Sequence, residues 1–421
     1  MKKIKKFLKI LGPGFITGAS DDDPSGIATY SQAGALFGFG QLWTALFSFP
    51  LMAAVQEMSG RVGLVTGLGL AGVIKKNYSK KLLFFCVFLL FVANTINIGA
   101  DLGAMAASAK LVYNIPFLFW IIGMVVITLI LEIFVSYKVY ANYLKFLTFA
   151  LFSYFIVAFI THVNWQSVFL STIVPTIQFN KDYLINILAI FGTTISPYLF
   201  FWQASEEVEE EIAHHKLRRM GAGVPKVTPK DITNLRIDTT VGMFFSNIVM
   251  WFIIITVGAT LHAHGITNIR SASEAASALK PLAGEFSSLF FALGIIGTGL
   301  LAIPVLAGSA SYAISESLDW DVGLYKKLKS AHGFYGAITL STLLGLLINF
   351  LGFDPIQVLY YTAVLNGIIA PPLLVVILLI ANSKKIMKDK VNGMWLNVLG
   401  IATVVIMSIA SILLLISFFQ K

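Results

Sequence analysis

Long apolar runs recur along almost the whole chain, each of a length that crosses a lipid bilayer. A spanning helix needs about 20 mostly apolar residues. Eleven segments qualify: Leu8–Phe37, Leu42–Val65, Leu82–Val112, Phe117–Tyr137, Tyr143–His162, Tyr183–Ala213, Thr239–His262, Phe286–Ile314, Phe334–Phe350, Ile356–Ala381 and Trp395–Phe419. Hydrocarbon supplies no hydrogen bonds, so the backbone must satisfy its own, which restricts such runs to helices. The expected fold class is an all-α membrane protein with 11 transmembrane helices. Composition agrees. Charged residues are 12 % of the 421, where a soluble domain carries about a quarter. Mean hydropathy is +0.82. These values exclude a soluble globular enzyme and a disordered chain. A single cysteine, Cys86, excludes an internal disulfide and a cysteine metal cluster.

The net charge of +9 raises the question of nucleic acid, and the placement of the charges answers it. With the N-terminus in the cytoplasm, the inside loops hold 25 of the 30 Lys and Arg residues. Only Lys110, Lys181, Arg270, Lys280 and Lys421 fall outside. That asymmetry is the positive-inside pattern, so the excess charge is topological and no nucleic-acid partner is expected. The lysine-rich start with Gly18-Ala19-Ser20 also has the outline of a signal peptide. Gly12-Pro13-Gly14 interrupts that apolar run, however, and the chain is read as keeping it.

Two of the runs are broken. The first contains Ser20-Asp21-Asp22-Asp23-Pro24-Ser25-Gly26 where the bilayer midplane should lie. A charge at a helix centre costs roughly 2.5–3.5 kcal/mol on the insertion scale. Pro24 lacks an N–H and Gly26 permits irregular backbone, so unwinding is expected, with freed carbonyls turned into a cavity. The sixth run repeats the pattern with Gly192-Thr193-Thr194-Ile195-Ser196-Pro197. Interrupted helices at corresponding positions of two halves point to a transporter site between inverted five-helix repeats. The repeats would span about 8–162 and 183–381, with an extra helix at 395–419, in one transmembrane domain covering 1–421. Carboxylates, hydroxyls and carbonyls attract a hard cation such as Mg²⁺, Mn²⁺ or Ca²⁺.

These motifs resemble those of the Nramp family of divalent-metal transporters. Gly12-Pro13-Gly14-Phe15 followed by Asp23-Pro24 is similar to its first-helix signature. Gln56 through Ser59 with Arg61, Gly63 and Val65-Thr66-Gly67 resembles its second-helix motif. Asp101-Leu102 and Gly192 to Pro197 resemble parts of the third- and sixth-helix motifs. The resemblance implies a LeuT-like fold and metal uptake by alternating access. It gives Asp23 the role of the family's metal-binding Asp and Thr193 that of its carbonyl ligand. The family's Asn position is Gly26 here, and its Met position is Ser196. Loss of a thioether should weaken discrimination against Mg²⁺, and these departures resemble the Nramp-related magnesium transporter branch. The family's third-helix Glu is Ala104, and the His after the sixth-helix Pro is Tyr198, so weak or absent proton coupling is expected.

The candidate metal-site positions are therefore Asp23, Thr193, Ser196, Asp22 and Gly26. Asp21, Ser25, Gln203, Asn366 and Asp101 are expected along the substrate pathway. Glu206, Glu207, Glu209, Glu210 and Glu211 read first as a solvated helix end paired with His214, His215 and Lys216, and second as a cytoplasmic vestibule. Glu57 is expected to pair with Arg61 one turn on. The expected function is import of Mg²⁺ or Mn²⁺ by a plasma-membrane monomer, with no resident cofactor and no enzymatic activity. Proton-coupled Mn²⁺/Fe²⁺ transport and a LeuT-fold amino-acid carrier are the alternatives. A channel lacks a reason for paired broken helices, and a prenyl-diphosphate transferase would need a second Asp-rich motif.

Overall fold

The computed structural model describes residues 10–135, 150–161 and 163–419. The N-terminal lysines, Lys138, Lys145, His162 and about half of the fifth expected span fall outside the described residues. Fifteen helices carry the architecture. Four belong to the two broken runs: α1 (Pro13–Asp21), α2 (Pro24–Phe37), α9 (Lys181–Thr194) and α10 (Pro197–Ala213). Each second half opens on the proline that ended the first half, since proline suits a helix start but not its interior.

The other first-half elements are α3 (Trp43–Thr66), α4 (Leu70–Asn77), α5 (Lys80–Val112), α6 (Phe117–Phe134), α7 (Phe152–Ile160) and α8 (Trp165–Ile173). The remaining ones are α11 (Pro229–Thr260), α12 (Ser287–Leu318), α13 (His332–Ile348), α14 (Pro355–Asn382) and α15 (Met394–Phe419). Among the described residues, seven helical stretches are long and apolar enough to cross a membrane. The first expected span is not among them, because Asp21, Asp22 and Asp23 interrupt its apolar run. The ninth, α13, has only 17 residues.

Three differences from the expected spans have local causes. α4 and α8 lie in the connections between expected spans, being shorter than a bilayer crossing. α11 starts at Pro229, well before Thr239, because Thr228 and Asp231 form a reciprocal capping box.

α5 packs along α12, α13 and α14, and α11 runs along α1, α2 and α3. The broken helices are thus held inside a ring of continuous ones. Small residues let the backbones approach. A Cβ at Gly18 of α1 would overlap the Gly242 backbone of α11, and one at Gly192 of α9 would overlap the Ala363 carbonyl of α14. The outer faces remain apolar. Phe119, Ile122, Val126 and Ile130 of α6 are exposed, as are Val398, Ile401, Val405 and Ile412 of α15. Apolar stripes of this extent face lipid.

Candidate functional site

The two breaks meet in the middle of the bundle. At the first, Asp23 has extended backbone and caps α2. Its Oδ1 accepts from the Gly26 N–H at 2.7 Å and the Ser25 hydroxyl at 2.6 Å. An N-cap carboxylate lies at the positive end of its helix, which favours the charge. The Ser25 hydroxyl is 3.4 Å from that of Thr193, in the last turn of α9. A Cβ on Gly26 would stand 3.3 Å from the Thr193 hydroxyl, the Asp21 carbonyl and the Tyr30 ring. The contact is reciprocal, for Tyr198 in the first turn of α10 donates to the Ser20 carbonyl of α1 at 3.2 Å. Each second half-helix therefore touches the end of the other first half-helix.

Ser196 lies at the second break, but its hydroxyl turns back. It donates to the carbonyls of Gly192 at 2.6 Å and Thr193 at 2.8 Å, groups a helix end leaves without an intrahelical donor. The Ser196 oxygen keeps its lone pairs for a second partner.

The other Asp23 oxygen faces α5. Asn97 donates to Asp23 Oδ2 at 3.0 Å and to Asp101 Oδ2 at 3.3 Å. Its own carbonyl accepts from Asn366 of α14 at 3.2 Å. Asp101 and Asn366 are thereby linked to Asp23 through one residue that sequence reasoning missed. The signal was present: Asn97 sits one turn before Asp101 in an apolar run, on the same helix face. Asp23, Ser25, Thr193, Ser196, Asn97, Asp101 and Asn366 are all at most 1 % exposed, so the site is closed from both sides.

The three adjacent acids do not share one set of partners. Asp21 and Asp22 turn to α11, where Ser246 donates to Asp21 Oδ2 at 2.5 Å and Asp22 Oδ1 at 3.2 Å. Successive residues leaving a helix end point in different directions, so adjacency in sequence did not bring convergence. Gln203 also lies apart. It donates to Glu207 at 2.8 Å and lies against Gly60 of α3.

The glutamates of α10 correct the solvated-end expectation. Glu206, Glu207, Glu209 and Glu211 are buried, at 4–8 % exposure. Glu209 accepts from the Tyr312 hydroxyl and the Leu324 N–H, each at 2.7 Å, and so anchors the loop after α12. Pairing with the basic segment holds for Glu211, 2.9 Å from Lys216, and for Glu210, 3.6 Å from His214. The Glu57–Arg61 pair is present. Arg236 of α11 joins it, with Nε 3.0 Å from Glu57 Oε2.

Asp238 was a second omission, lying one residue before the expected start of the seventh span. Its carboxylate accepts from the Gly12, Gly14 and Phe15 N–H groups at 2.8, 2.7 and 3.0 Å. It closes the N-terminus of α1.

No group of three or more His, Cys, Asp or Glu residues is arranged to hold a metal among the described residues. The donors around Asp23 are instead one carboxylate, amide oxygens, hydroxyls and the carbonyls freed at the helix breaks. Such a set serves hard cations. Two half-helix pairs crossing at their interruptions, inside a bundle with apolar outer faces, define a multi-pass transporter of LeuT-like fold.

The chain belongs to the Nramp family, whose model, natural resistance-associated macrophage protein-like, matches residues 14–417. It is similar to the divalent metal cation transporter MntH of Caldanaerobacter subterraneus, with 25 % identity over 92 % of this chain and 88 % of that protein. The MntH of Clostridium acetobutylicum is 26 % identical, over 96 % of this chain and 90 % of its own length. Among solved structures, the Eremococcus coleocola manganese transporter superposes with a TM-score of 0.73 at 18 % identity, over 98 % of this chain and 86 % of that one. Mhp1, a nucleobase-cation-symport-1 family transporter, gives 0.57 at 12 % identity, over 95 % and 92 %. These two likenesses concern the fold.

Proposed function

We propose that this protein, a divalent metal cation transporter by its family, imports Mg²⁺ or Mn²⁺ by alternating access around Asp23. The observation that carries the reading is the meeting of the two breaks at Asp23, Ser25 and Thr193, with oxygen donors and no thioether at position 196. Asp23 supplies the charge. Thr193 and Ser196 supply neutral oxygens, and Gly26 lets α2 approach the Thr193 hydroxyl and the Asp21 carbonyl closely. Hard oxygen donors of this kind suit Mg²⁺ as well as Mn²⁺. Asp22, with Asp21, lies outside this donor set and belongs to the pathway.

Proton coupling is weak or absent in this reading. Ala104 and Tyr198 carry no group that exchanges protons near neutral pH, and the Tyr198 hydroxyl is committed to the Ser20 carbonyl. The membrane potential alone suffices. About 2.3 kcal/mol per charge per 100 mV gives a dication roughly 4.6 kcal/mol, an accumulation of ~10³-fold. The protein acts as a monomer in the plasma membrane with its N-terminus in the cytoplasm, as the basic loops favour.

One observation favours proton-coupled Mn²⁺/Fe²⁺ transport as a second reading. Asp101 is buried beside the site, and its Oδ1 has no hydrogen-bond partner, so it has an oxygen available for a proton. Uptake into proteoliposomes across Mg²⁺, Mn²⁺, Fe²⁺ and Ca²⁺ separates the two. The expected result is Mg²⁺ uptake without lumenal acidification, lost in Asp23→Ala and shifted toward Mn²⁺ in Ser196→Met. Acidification accompanying uptake would establish the second reading. Unimpaired uptake by Asp23→Ala would overturn both.

A further inference from the structure

A second cavity lies on the side of the bundle that is poor in Lys and Arg. It encloses about 220 Å³. Its wall is built from the same three helices that carry the central site. Gln32 of α2 lies nine residues beyond Asp23, Asp182 of α9 eleven before Thr193, and Gln357 of α14 nine before Asn366. At 1.5 Å per helical residue, all three stand roughly 13–16 Å from the site along their helices. Ala28 forms part of the wall nearest the site.

The lining has one carboxylate, Asp182, three carboxamides, the phenols of Tyr360 and Tyr361, and no Lys or Arg. Two of the amides are already used. Gln32 donates to Asn268 at 3.1 Å and accepts from the Ile269 N–H at 2.9 Å, which clasps the loop after α11 over the mouth. Asp182 and Gln357 are both exposed, and their oxygens are accessible to a ligand.

Size narrows the choice of ligand. Six waters at ~30 Å³ each fill ~180 Å³, so a dication with a complete water shell fits the cavity. A shell of water donates hydrogen bonds outward, and the lining offers acceptors: a carboxylate, an amide oxygen and phenol oxygens. We infer that this cavity is a loading site for a fully hydrated divalent cation, which is held through its waters before it is stripped on the way to Asp23. The inference rests on the reading of Asp23 as the centre of a dication site.

Hexaamminecobalt(III) tests it, because this complex has the size and donor shell of a hexahydrated dication and cannot shed its ligands. Added outside proteoliposomes, it should compete with Mg²⁺ without being transported. Its apparent inhibition constant should rise about tenfold in Asp182→Asn and return toward the wild-type value in Asp182→Glu. Titration calorimetry of purified protein gives a readout independent of transport. Asp23→Ala should bind the complex as wild type does, while Asp182→Asn combined with Gln357→Ala should lose the binding. Equal binding by that double variant and wild type, or no inhibition of wild type, would overturn the loading site and leave the central site untouched. Normal uptake by Asp23→Ala would instead overturn the reading beneath it.

Discussion

Asn97 shows how much one buried amide can organise. It donates to two carboxylates, Asp23 and Asp101, and accepts from Asn366. Removal leaves Asp23 Oδ2, Asp101 Oδ2 and the Asn366 amide without this partner in a site closed to water, while Asp23 Oδ1 keeps Gly26 and Ser25. A hydrogen bond to a charged group contributes about 1.5–3 kcal/mol. Asn97→Ala is therefore expected to raise the KM for metal uptake by roughly 10-fold or more, measured from initial rates over a range of metal concentrations. An unchanged KM would remove Asn97 from the site. Glu57 makes the corresponding case for stability. It faces Arg61, which is 4 % exposed, and Arg236. Glu57→Gln leaves the Arg61 charge buried and uncompensated, at a cost of about 3–5 kcal/mol. A clear drop in Tm in detergent is expected, and a Tm equal to wild type would refute it.

At the scale of elements, α1 is the half-helix best placed to move. It is nine residues long, and its start is tied to α11 by the Asp238 carboxylate and its interior by the Gly18–Gly242 approach. Asp238→Ala removes the first tie and keeps the second. It should favour states in which α1 swings off α11 and the site opens to the cytoplasm. Thr17 of α1 is fully buried and Cys86, the sole native cysteine, is buried too. A Thr17→Cys probe should therefore react with a water-soluble maleimide several-fold faster in the Asp238→Ala background. Equal labelling rates in the two backgrounds would show that the carboxylate does not hold α1 closed. The elements themselves were largely legible. Pro24 and Pro197 set where the broken helices restart, because a missing N–H and a fixed φ allow little else. The early start of α11 was not, because an apolar-run criterion does not register a helix that begins in polar sequence.

For the whole molecule, the proposed uncoupled dication transport has a definite response to voltage, set by the charge of the cargo. With a dication and no coupled ion, accumulation follows the potential alone. Proteoliposomes with an inside-negative potential of about 100 mV should concentrate Mg²⁺ ~10³-fold, and dissipating the potential with a potassium ionophore should return the ratio to near one. Accumulation that persists without a voltage, driven by an acidic exterior, would favour the coupled reading.

What the sequence determined by itself follows from short-range physics. Apolar runs of bilayer length must be helical, charged residues and proline must interrupt them, and lysines must stay on one side. Those rules gave the helical class and the two breaks, and the resemblance to the family singled out Asp23 among the three acids. What the tertiary structure decided was direction. Asp21 and Asp22 turn to Ser246 while Asp23 turns to Asn97, and Ser196 bonds back to its own helix end. Partners separated by tens or hundreds of residues meet only after the helices pack. A side chain's direction at an unwound break has no period from which it can be read.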